Sequence, residues 1–237
     1  MIKFFPMTDP DKTTSLFNAV VAKASLKQEV YSKTLQAFNT FKNEAEKLTS
    51  GYHKKIKQTK WPIPFEFKDH GLFEFELKFG GDILIFFMHS NVFEFPRDHE
   101  VMKTSYIRED KKRSYCGIIH IYNFLQDSFK YNRTNDLGYL IGRIFVNREK
   151  HYFIEGKREI GMLYNNFETS ELNKSAIKSI LHSSIRYTLN FDLLTPHYDN
   201  MKEVTVLEMK TTIDNMQIRT AKRLGYRFHA DQVDNEA

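Results

Sequence analysis

The sequence predicts a single α+β domain, in which a curved antiparallel sheet is covered by a long N-terminal helix and two C-terminal helices. Three observations predict this class: a helical spacing of apolar residues before residue 56, alternating strands between residues 63 and 158, and a second helical pattern over residues 170–222. Strands that are grouped together, rather than alternating with helices, are typical of α+β folds. The length of 237 residues suits one such domain.

The first helix is predicted over about residues 13–56, because apolar residues recur there at a spacing of three and four. This stripe contains Phe17, Val21, Ala24, Tyr31, Leu35, Phe38, Ala45 and Tyr52. Two interpretations are open. The helix lies across the apolar face of the sheet, which we favour because that face needs a cover, or it is a coiled-coil arm that assembles a homo-oligomer.

The clearest strand signal begins at residue 72. Residues 72–79 alternate apolar with charged side chains, and Gly80-Gly81 then supplies a two-residue turn in which glycine adopts a positive φ without steric cost. Folding at this turn predicts the cross-strand pairs Leu77 with Leu84 and Phe75 with Phe86. The result is a hairpin with one aromatic face.

Other strands extend this hairpin to a sheet of six or seven. Phe93 and Phe95 are expected to return after a turn and to join the same aromatic face as a third strand. Residues 116–125 are apolar on both faces, which indicates a central strand. The remaining strands of the sheet are predicted over residues 63–67, 139–146 and 151–156, and residues 101–107 are read as a weak strand.

The C-terminal third reads as two helices. Thr169 or Ser170 is a plausible N-cap for a helix that reaches about Phe191. The last helix is predicted to start at Thr195-Pro196, since proline is favoured in a first turn, and to end near Lys222.

Composition restricts the function only loosely. The net charge of +5 and the pI near 9.0 permit an anionic partner such as nucleic acid. The single cysteine fits a reducing compartment, and the N-terminus lacks a signal-peptide pattern, so we expect a cytoplasmic protein. The longest apolar run, Ile83 to Met88, is too short to span a bilayer, so we expect no membrane partner.

One pattern suggests hydrolytic chemistry. Glu155 and Lys157 are two apart at the end of a predicted strand and therefore point to one side. With Asp136 as a second carboxylate, they could hold Mg²⁺ and position a phosphodiester, as a metal-dependent nuclease does. This constellation is the catalytic alternative, and it is the only one that implies a cofactor.

A second group of residues suggests a ligand site on the central strands. Its members combine histidine, tyrosine and basic side chains: His120, Tyr122, Arg143, Arg148, Lys150 and His151. The nearby aromatics Tyr139, Phe145, Tyr152 and Phe153 would form a base-stacking platform only if they faced solvent; we expect them in the core. No His, Cys or Asp cluster has the spacing of a metal site.

The sequence therefore predicts a binding or regulatory protein rather than an enzyme, with a basic surface for an anionic ligand or nucleic acid. The alternatives are the phosphodiester hydrolase and a structural homo-oligomer built through the N-terminal helix. No internal repeat or low-complexity segment points to a further class.

Overall fold

The computed structural model describes residues 9–56, 60–134, 136–156, 160, 166–192, 197–200, 202–207 and 209. The helices are α1 (Asp9–Lys55), α2 (Ser105–Glu109), α3 (Gln126–Lys130) and α4 (Lys174–Leu189). The strands are β1 (Phe65–Asp69), β2 (Glu74–Phe79), β3 (Asp82–Met88), β4 (Phe93–Glu94), β5 (Tyr115–Leu125), β6 (Tyr139–Asn147) and β7 (Tyr152–Gly156). Short 3₁₀ turns occupy Glu100–Lys103, Lys111–Ser114 and Tyr198–Asn200. The α+β prediction is confirmed.

The seven strands form one open antiparallel sheet in the order β1-β2-β3-β5-β6-β7, and β4 pairs with β5 beyond the end of β3. The β2–β3 hairpin has the predicted register, with Leu77 opposite Leu84 and Phe75 opposite Phe86. Gly80 takes a φ of 56° in its turn, the left-handed conformation that glycine adopts at low cost. The strand over residues 116–125 is central, as predicted.

Two strand predictions are wrong. The segment after β3 does not turn back beside it: Phe93 lies opposite Cys116 of β5, and Phe95 is buried in a cluster on the other side of the sheet from Phe75. Residues 101–107 are not a strand, because the Thr104 side chain accepts the backbone N–H of Ile107 and starts α2. A capping hydroxyl thus outweighs weak strand propensity.

Both long helices cover the same face of the sheet, which we call the core face. Aromatic rings from α1 and the hairpin meet there: the Phe38 and Phe75 centroids are 5.4 Å apart, and Phe75 stacks on Phe86 at 4.6 Å. Ile177, Ile180 and Leu181 of α4 close the same cluster. These contacts make an apolar layer that holds the sheet and helices together. The opposite side of the sheet is the open face.

The buried side of α1 differs from the predicted stripe. Leu26, Val30 and Phe41 are buried although they fall outside that stripe, whereas Phe17 and Val21 inside it are about 60 % exposed. The reason is that α1 meets the sheet only from Leu26 onward and packs against α4 as well, so two rows of side chains are covered. Residues 11–25 are all exposed.

Helix α1 crosses β5 at a glycine. A Cβ at Gly117 would lie 2.3 Å from the Oγ1 atom of Thr34, so only glycine lets the helix and the strand approach this closely. On the α4 side, the buried carboxylate of Glu44 accepts Lys47 at 2.9 Å and pairs with Lys174 and Lys178 at 3.3 and 3.5 Å. The hydrogen bond from Lys47 holds the pKa of Glu44 below its usual value, against the effect of burial.

Helix α4 starts later than predicted. Its N-cap is Asn173, whose side chain accepts the N–H of Ala176, rather than Thr169 or Ser170. The preceding residues stay extended because Ser170 and Leu172 hydrogen-bond to the chain around the start of β7. The predicted last helix lies mostly outside the described residues, where residues 193–196 and 210–222 fall. None of the described helices is long and apolar enough to cross a membrane.

Candidate functional site

The open face has a covered part and an uncovered part. Residues 95–114 fold over its β5–β7 end and bury a mostly aromatic cluster there: Phe95, Tyr106, Ile107, Cys116, Ile118, Phe145, Phe153 and Phe167. Burial raises the pKa of the Cys116 thiol well above its usual value, so this cysteine is held as a neutral thiol. Toward β2 and β3, the described part of the chain leaves side chains of this face exposed, Phe87 among them.

Strand register brings five side chains into one row on the open face. Each residue lies directly opposite the next across neighbouring strands, in the order Glu74, Phe87, His120, Arg143 and Glu155. Residues two apart on a strand share a face, so Tyr122 and Phe124 of β5 lie beside His120 on the same face. The predicted ligand residues His120, Tyr122 and Arg143 are therefore neighbours.

Seven rings form a continuous series on this part of the sheet, which we call the aromatic face. It consists of Phe93, His89, Phe87, His120, Tyr122, Phe124 and Phe129. Phe87 and His120 are 6.2 Å apart with planes at 20°, and His120 and Tyr122 are 5.8 Å apart at 30°. At the two ends of the series, the ring centroids of His89 and Phe93 are 4.8 Å apart, and those of Phe124 and Phe129 are 5.4 Å apart. The ring planes of each pair are nearly perpendicular.

Much of this ring surface is open to solvent. Phe87, Phe93 and Phe129 are 36, 38 and 50 % exposed, while His120, Tyr122 and Phe124 are partly exposed. A Cβ at Gly138 would lie 2.2 Å from the Phe124 ring, so this glycine supports that ring from one side. Aromatic surface held in place at the middle of a sheet is a stacking platform for planar groups.

His120 is held neutral near physiological pH. Partial burial lowers its pKa, and the positive charge of Arg143 and the neighbouring His89 act in the same direction. Among the described groups, none hydrogen-bonds to its buried Nδ1 atom. A neutral imidazole between Phe87 and Tyr122 extends the stacking surface without adding a charge.

Arg143 borders the aromatic face and is 41 % exposed. Its guanidinium donates to Glu155 and lies 5.4 Å above the ring of Phe145. Glu155 also accepts the Nε2–H of His99 at 3.2 Å, because His99 Nδ1 is already occupied in accepting the N–H of Val101. Glu155 thus orients Arg143, and the exposed edge of the guanidinium still faces solvent.

The other predicted ligand residues lie elsewhere. Arg148, Lys150 and His151 belong to the β6–β7 turn, five or more residues beyond Arg143 and about 17 Å along the strand. Arg148 pairs with Asp110 at 2.5 Å, and His151 stacks on Tyr106 at 5.3 Å. These contacts fasten α2 to the turn and place it apart from His120, Tyr122 and Arg143, so a single ligand site that contains all six residues stays a prediction.

Side chains between α2 and the β6–β7 turn also form close hydrogen bonds and ion pairs. The Tyr106 hydroxyl donates to Glu149 at 2.7 Å and accepts Asn147 at 2.8 Å, and burial raises the pKa of Tyr106. Burial would also raise the pKa of Glu149, but hydrogen bonds from Tyr106 and Arg113 lower it below the usual value. Paired charges of this kind stabilise the turn rather than offer a free binding group.

The hydrolase residues have separate partners. Asp136 accepts Ser128 at 2.6 Å and pairs with Arg133 at 3.6 Å, whereas Glu155 pairs with Arg143 and His99. Lys157 lies outside the described residues. Among the residues that the structure describes, no three His, Cys, Asp or Glu side chains are arranged to hold a metal ion. The hydrolase stays a prediction without geometric support.

The hairpin aromatics are in the interior, as expected. Phe145, Tyr152 and Phe153 are 4–5 % exposed, and Tyr139 packs against the core and Phe191. The exposed rings are instead Phe87, Phe93 and Phe129, which sequence reasoning missed. One signal was available: the run Ile83–Met88 is apolar at every position, so both faces of β3 carry apolar side chains while only one is covered by helices.

A groove of about 360 Å³ lies on the other side of the molecule, between α1 and the β1–β2 turn. Its lining is mainly polar: Asn39, Lys42, Asn43, Glu46, Phe67, Asp69, Gly71 and Leu72. The Lys42 ammonium is used within it, because it donates to Asp69 at 2.6 Å and to the Gly71 carbonyl. This ion pair joins the helix and the hairpin and occupies the Lys42 ammonium.

Comparisons of the chain with known protein families, with curated proteins and with solved structures return no match. The function is therefore argued from the geometry of the aromatic face.

Proposed function

We propose that this chain is a non-enzymatic binding protein whose aromatic face holds single-stranded nucleic acid by base stacking. One observation carries the proposal: a continuous series of seven rings crosses the two central strands β3 and β5 on the side of the sheet that the helices leave open. Sheets that recognise single strands present aromatics in this position, because unpaired bases stack on them.

The spacing of the rings suits successive bases. Phe87, Tyr122 and Phe124 occupy two adjacent strands, and neighbouring positions on one strand face are about 7 Å apart. Three such platforms would take two or three bases. Three bases stacked at the upper end of about 1–3 kcal/mol each supply about 9 kcal/mol, which corresponds to a Kd on the order of micromolar.

The charges around the face predict an unusual salt dependence. Arg143 and Lys78 stand on the open face together with the carboxylates Glu74, Glu76 and Glu155, so the surface is mixed rather than strongly basic. With about two phosphates neutralised, the slope of log K against log salt is expected to be about −1.4. Stacking, rather than the net charge of +5, then supplies most of the affinity.

The test is a fluorescence-anisotropy titration with a labelled 12-nucleotide single strand, as DNA and as RNA, and with the matching duplex. We expect micromolar binding of single strands, much weaker binding of the duplex, and the shallow salt slope. Phe87→Ala and Tyr122→Ala should each weaken binding by roughly 5- to 150-fold, the cost of one lost stacking ring. Arg143→Gln should weaken it less and reduce the slope by about 0.7.

Two exposed aromatics provide controls. Tyr198 is 80 % exposed and lies outside the sheet, so Tyr198→Ala should leave the Kd within about twofold. Trp61 is 65 % exposed with Lys60 above its ring at 5.4 Å, and Trp61→Ala tests this rival platform. Single strands that fail to bind at 100 μM, or binding that depends on Trp61 and not on Phe87, would overturn the proposal.

A further inference from the structure

The groove between α1 and the β1–β2 turn has a polar wall that is formed by α1. Asn39, Asn43 and Glu46 follow each other at spacings of four and three residues, so they stand in one row about 10 Å long. All three residues are exposed. No group in the described part of the chain forms a hydrogen bond or an ion pair with their side chains. The wall therefore presents two amides and one carboxylate to a ligand.

The other wall comes from β1 and the β1–β2 turn, and it is partly apolar. Phe67 and Asp69 are two apart on β1 and share a face. The Phe67 ring is held in place, because it packs on the fully buried Phe75 with the two centroids 5.7 Å apart. Leu72 in the turn is 53 % exposed. The groove thus combines an apolar surface with the polar row of α1.

The single cation of the lining is used within the protein. The Lys42 ammonium donates to Asp69 at 2.6 Å and to the Gly71 carbonyl, and it lies 5.4 Å from the centre of the Phe38 ring. The hydrogen bond from Lys42 holds the pKa of Asp69 below its usual value, so this carboxylate stays charged at neutral pH. Lys42 and Asp69 therefore neutralise each other.

Glu46 is the charge that remains in the groove. The cation next to it on α1, Lys47, donates to Glu44 at 2.9 Å and interacts with Glu46 through charge alone. The charged side chains of the lining, which are those of Lys42, Asp69 and Glu46, sum to −1. The groove consequently favours a cationic ligand over an anionic one.

We propose that this groove binds a small organic ammonium, with its charged head at Glu46 and the two asparagines and its apolar chain on Phe67 and Leu72. An ammonium group supplies three hydrogen-bond donors for the carboxylate and amide oxygens, and its single charge matches that of the lining. The volume of about 360 Å³ is at the lower end of the range for small-molecule sites. This site is independent of nucleic-acid binding, because the groove and the aromatic face share no residue.

A nuclear magnetic resonance titration of the full chain, labelled with ¹⁵N, tests the proposal with three probes of equal chain length: hexylammonium, hexanol and hexanoate. Hexylammonium should shift the backbone amides of residues 39–46 and 67–72, with a Kd on the order of 1 mM for so small a ligand. Hexanol should shift the same amides with about fivefold lower affinity, because it lacks the charge, and hexanoate should bind more weakly still. Added salt should weaken the binding of hexylammonium and not that of hexanol.

Substitutions in the row of α1 test the role of charge. Glu46→Gln should weaken hexylammonium binding about fivefold and leave the affinity for hexanol unchanged. Glu29→Gln makes the same change at an exposed position of α1 outside the groove, and it should leave both affinities unchanged. Asn43→Asp adds a second carboxylate to the row and should tighten hexylammonium binding by up to about fivefold. Circular dichroism checks that each variant is folded.

Leu72→Asn tests the apolar wall, and it should weaken the binding of hexylammonium and of hexanol alike. Equal affinity for hexylammonium and hexanoate, or amide shifts centred outside the groove, would overturn the proposal. So would a Glu46→Gln variant that binds hexylammonium as tightly as Glu29→Gln does. Calcium that shifts the same amides at lower concentration than hexylammonium would assign the groove to a metal ion instead.

Discussion

His120 lies in the aromatic face, and protonation of its imidazole makes the stability of the protein depend on pH. Its neutral form is favoured in the folded protein by partial burial, by Arg143 and by His89, whereas the unfolded chain leaves it near 6.5. The unfolded state therefore takes up the proton first as pH falls. The stability that comes from this residue is fully present above about pH 6.5 and is lost as pH drops through the lower pKa of the folded state.

Replacing His120 by glutamine should flatten the pH dependence of stability. We expect the free energy of unfolding of the wild type to fall as pH drops below about 6.5, because the folded protein resists protonation of this imidazole. In His120→Gln that part of the slope should disappear. Urea unfolding at several pH values measures the free energy of unfolding of the wild type and of His120→Gln.

His182→Gln is the matched control, since this histidine is exposed on α4. It should retain the pH profile of the wild type. If His120→Gln and the wild type show the same slope, the stacked imidazole does not titrate as proposed.

At the residue scale, the sequence pointed to three residues that lie at the aromatic face. It selected His120, Tyr122 and Arg143, because polar and aromatic residues on a central strand are suited to a ligand. It could not separate them from the turn residues Arg148, Lys150 and His151, since Asp110 and Tyr106, which contact Arg148 and His151, come from a distant segment. Pairing between remote charges cannot be read from local spacing.

Among the elements, the crossing of α1 over β5 depends on one missing methyl group. Gly117 lies under Thr34, and an added Cβ would be 2.3 Å from Oγ1 and 2.8 Å from the Thr34 Cβ. Because the clash involves the branched part of a buried side chain, the helix itself would have to move. This glycine fixes the height of the helix above the sheet.

Gly117→Ala should therefore lower the free energy of unfolding by about 1–3 kcal/mol, the usual cost of overpacking a core. Gly51→Ala makes the same chemical change within α1, where nothing lies within 4 Å, and should raise stability by about 0.5–1 kcal/mol through helix propensity. Chemical denaturation measures the free energy of unfolding of Gly117→Ala and of Gly51→Ala. Equal effects of both substitutions would contradict the tight crossing.

Element prediction succeeded where the signal was local. The β2–β3 register follows from alternation and a Gly-Gly turn, and β5 from its two apolar faces. It failed for β4, which is a two-residue strand paired with β5. It also failed for α2, which begins at the Thr104 N-cap. It also misplaced the buried side of α1, because no local pattern shows where the sheet beneath the helix ends.

At the scale of the molecule, the seven described strands belong to one sheet, and the two long described helices lie on one side of it. Protection of backbone amides against hydrogen exchange should therefore be highest in the central strands and lower toward the edges of the sheet. β5 and β6 are paired on both sides, whereas β1 and β7 are at the ends of the strand order, although α1 packs on β1 as well as on β5 and β6. Central hydrogen bonds open only with larger unfolding events.

Hydrogen exchange followed by mass spectrometry tests this gradient. Amides of β5 and β6 should exchange slowest and those of β1 sooner, since the edge strand can separate without disrupting the core. Equal protection of β1 and β5 would contradict the gradient.

The position of Trp61 has a practical consequence. It is the only tryptophan, and it is 65 % exposed just before β1 rather than inside the aromatic core. Its indole is already largely exposed to water in the native protein, so denaturation will shift the wavelength of its emission maximum very little. The same indole is open to collisional quenchers such as iodide. Intrinsic fluorescence is thus a local probe of the segment ahead of the sheet, and unfolding is better followed in the far ultraviolet.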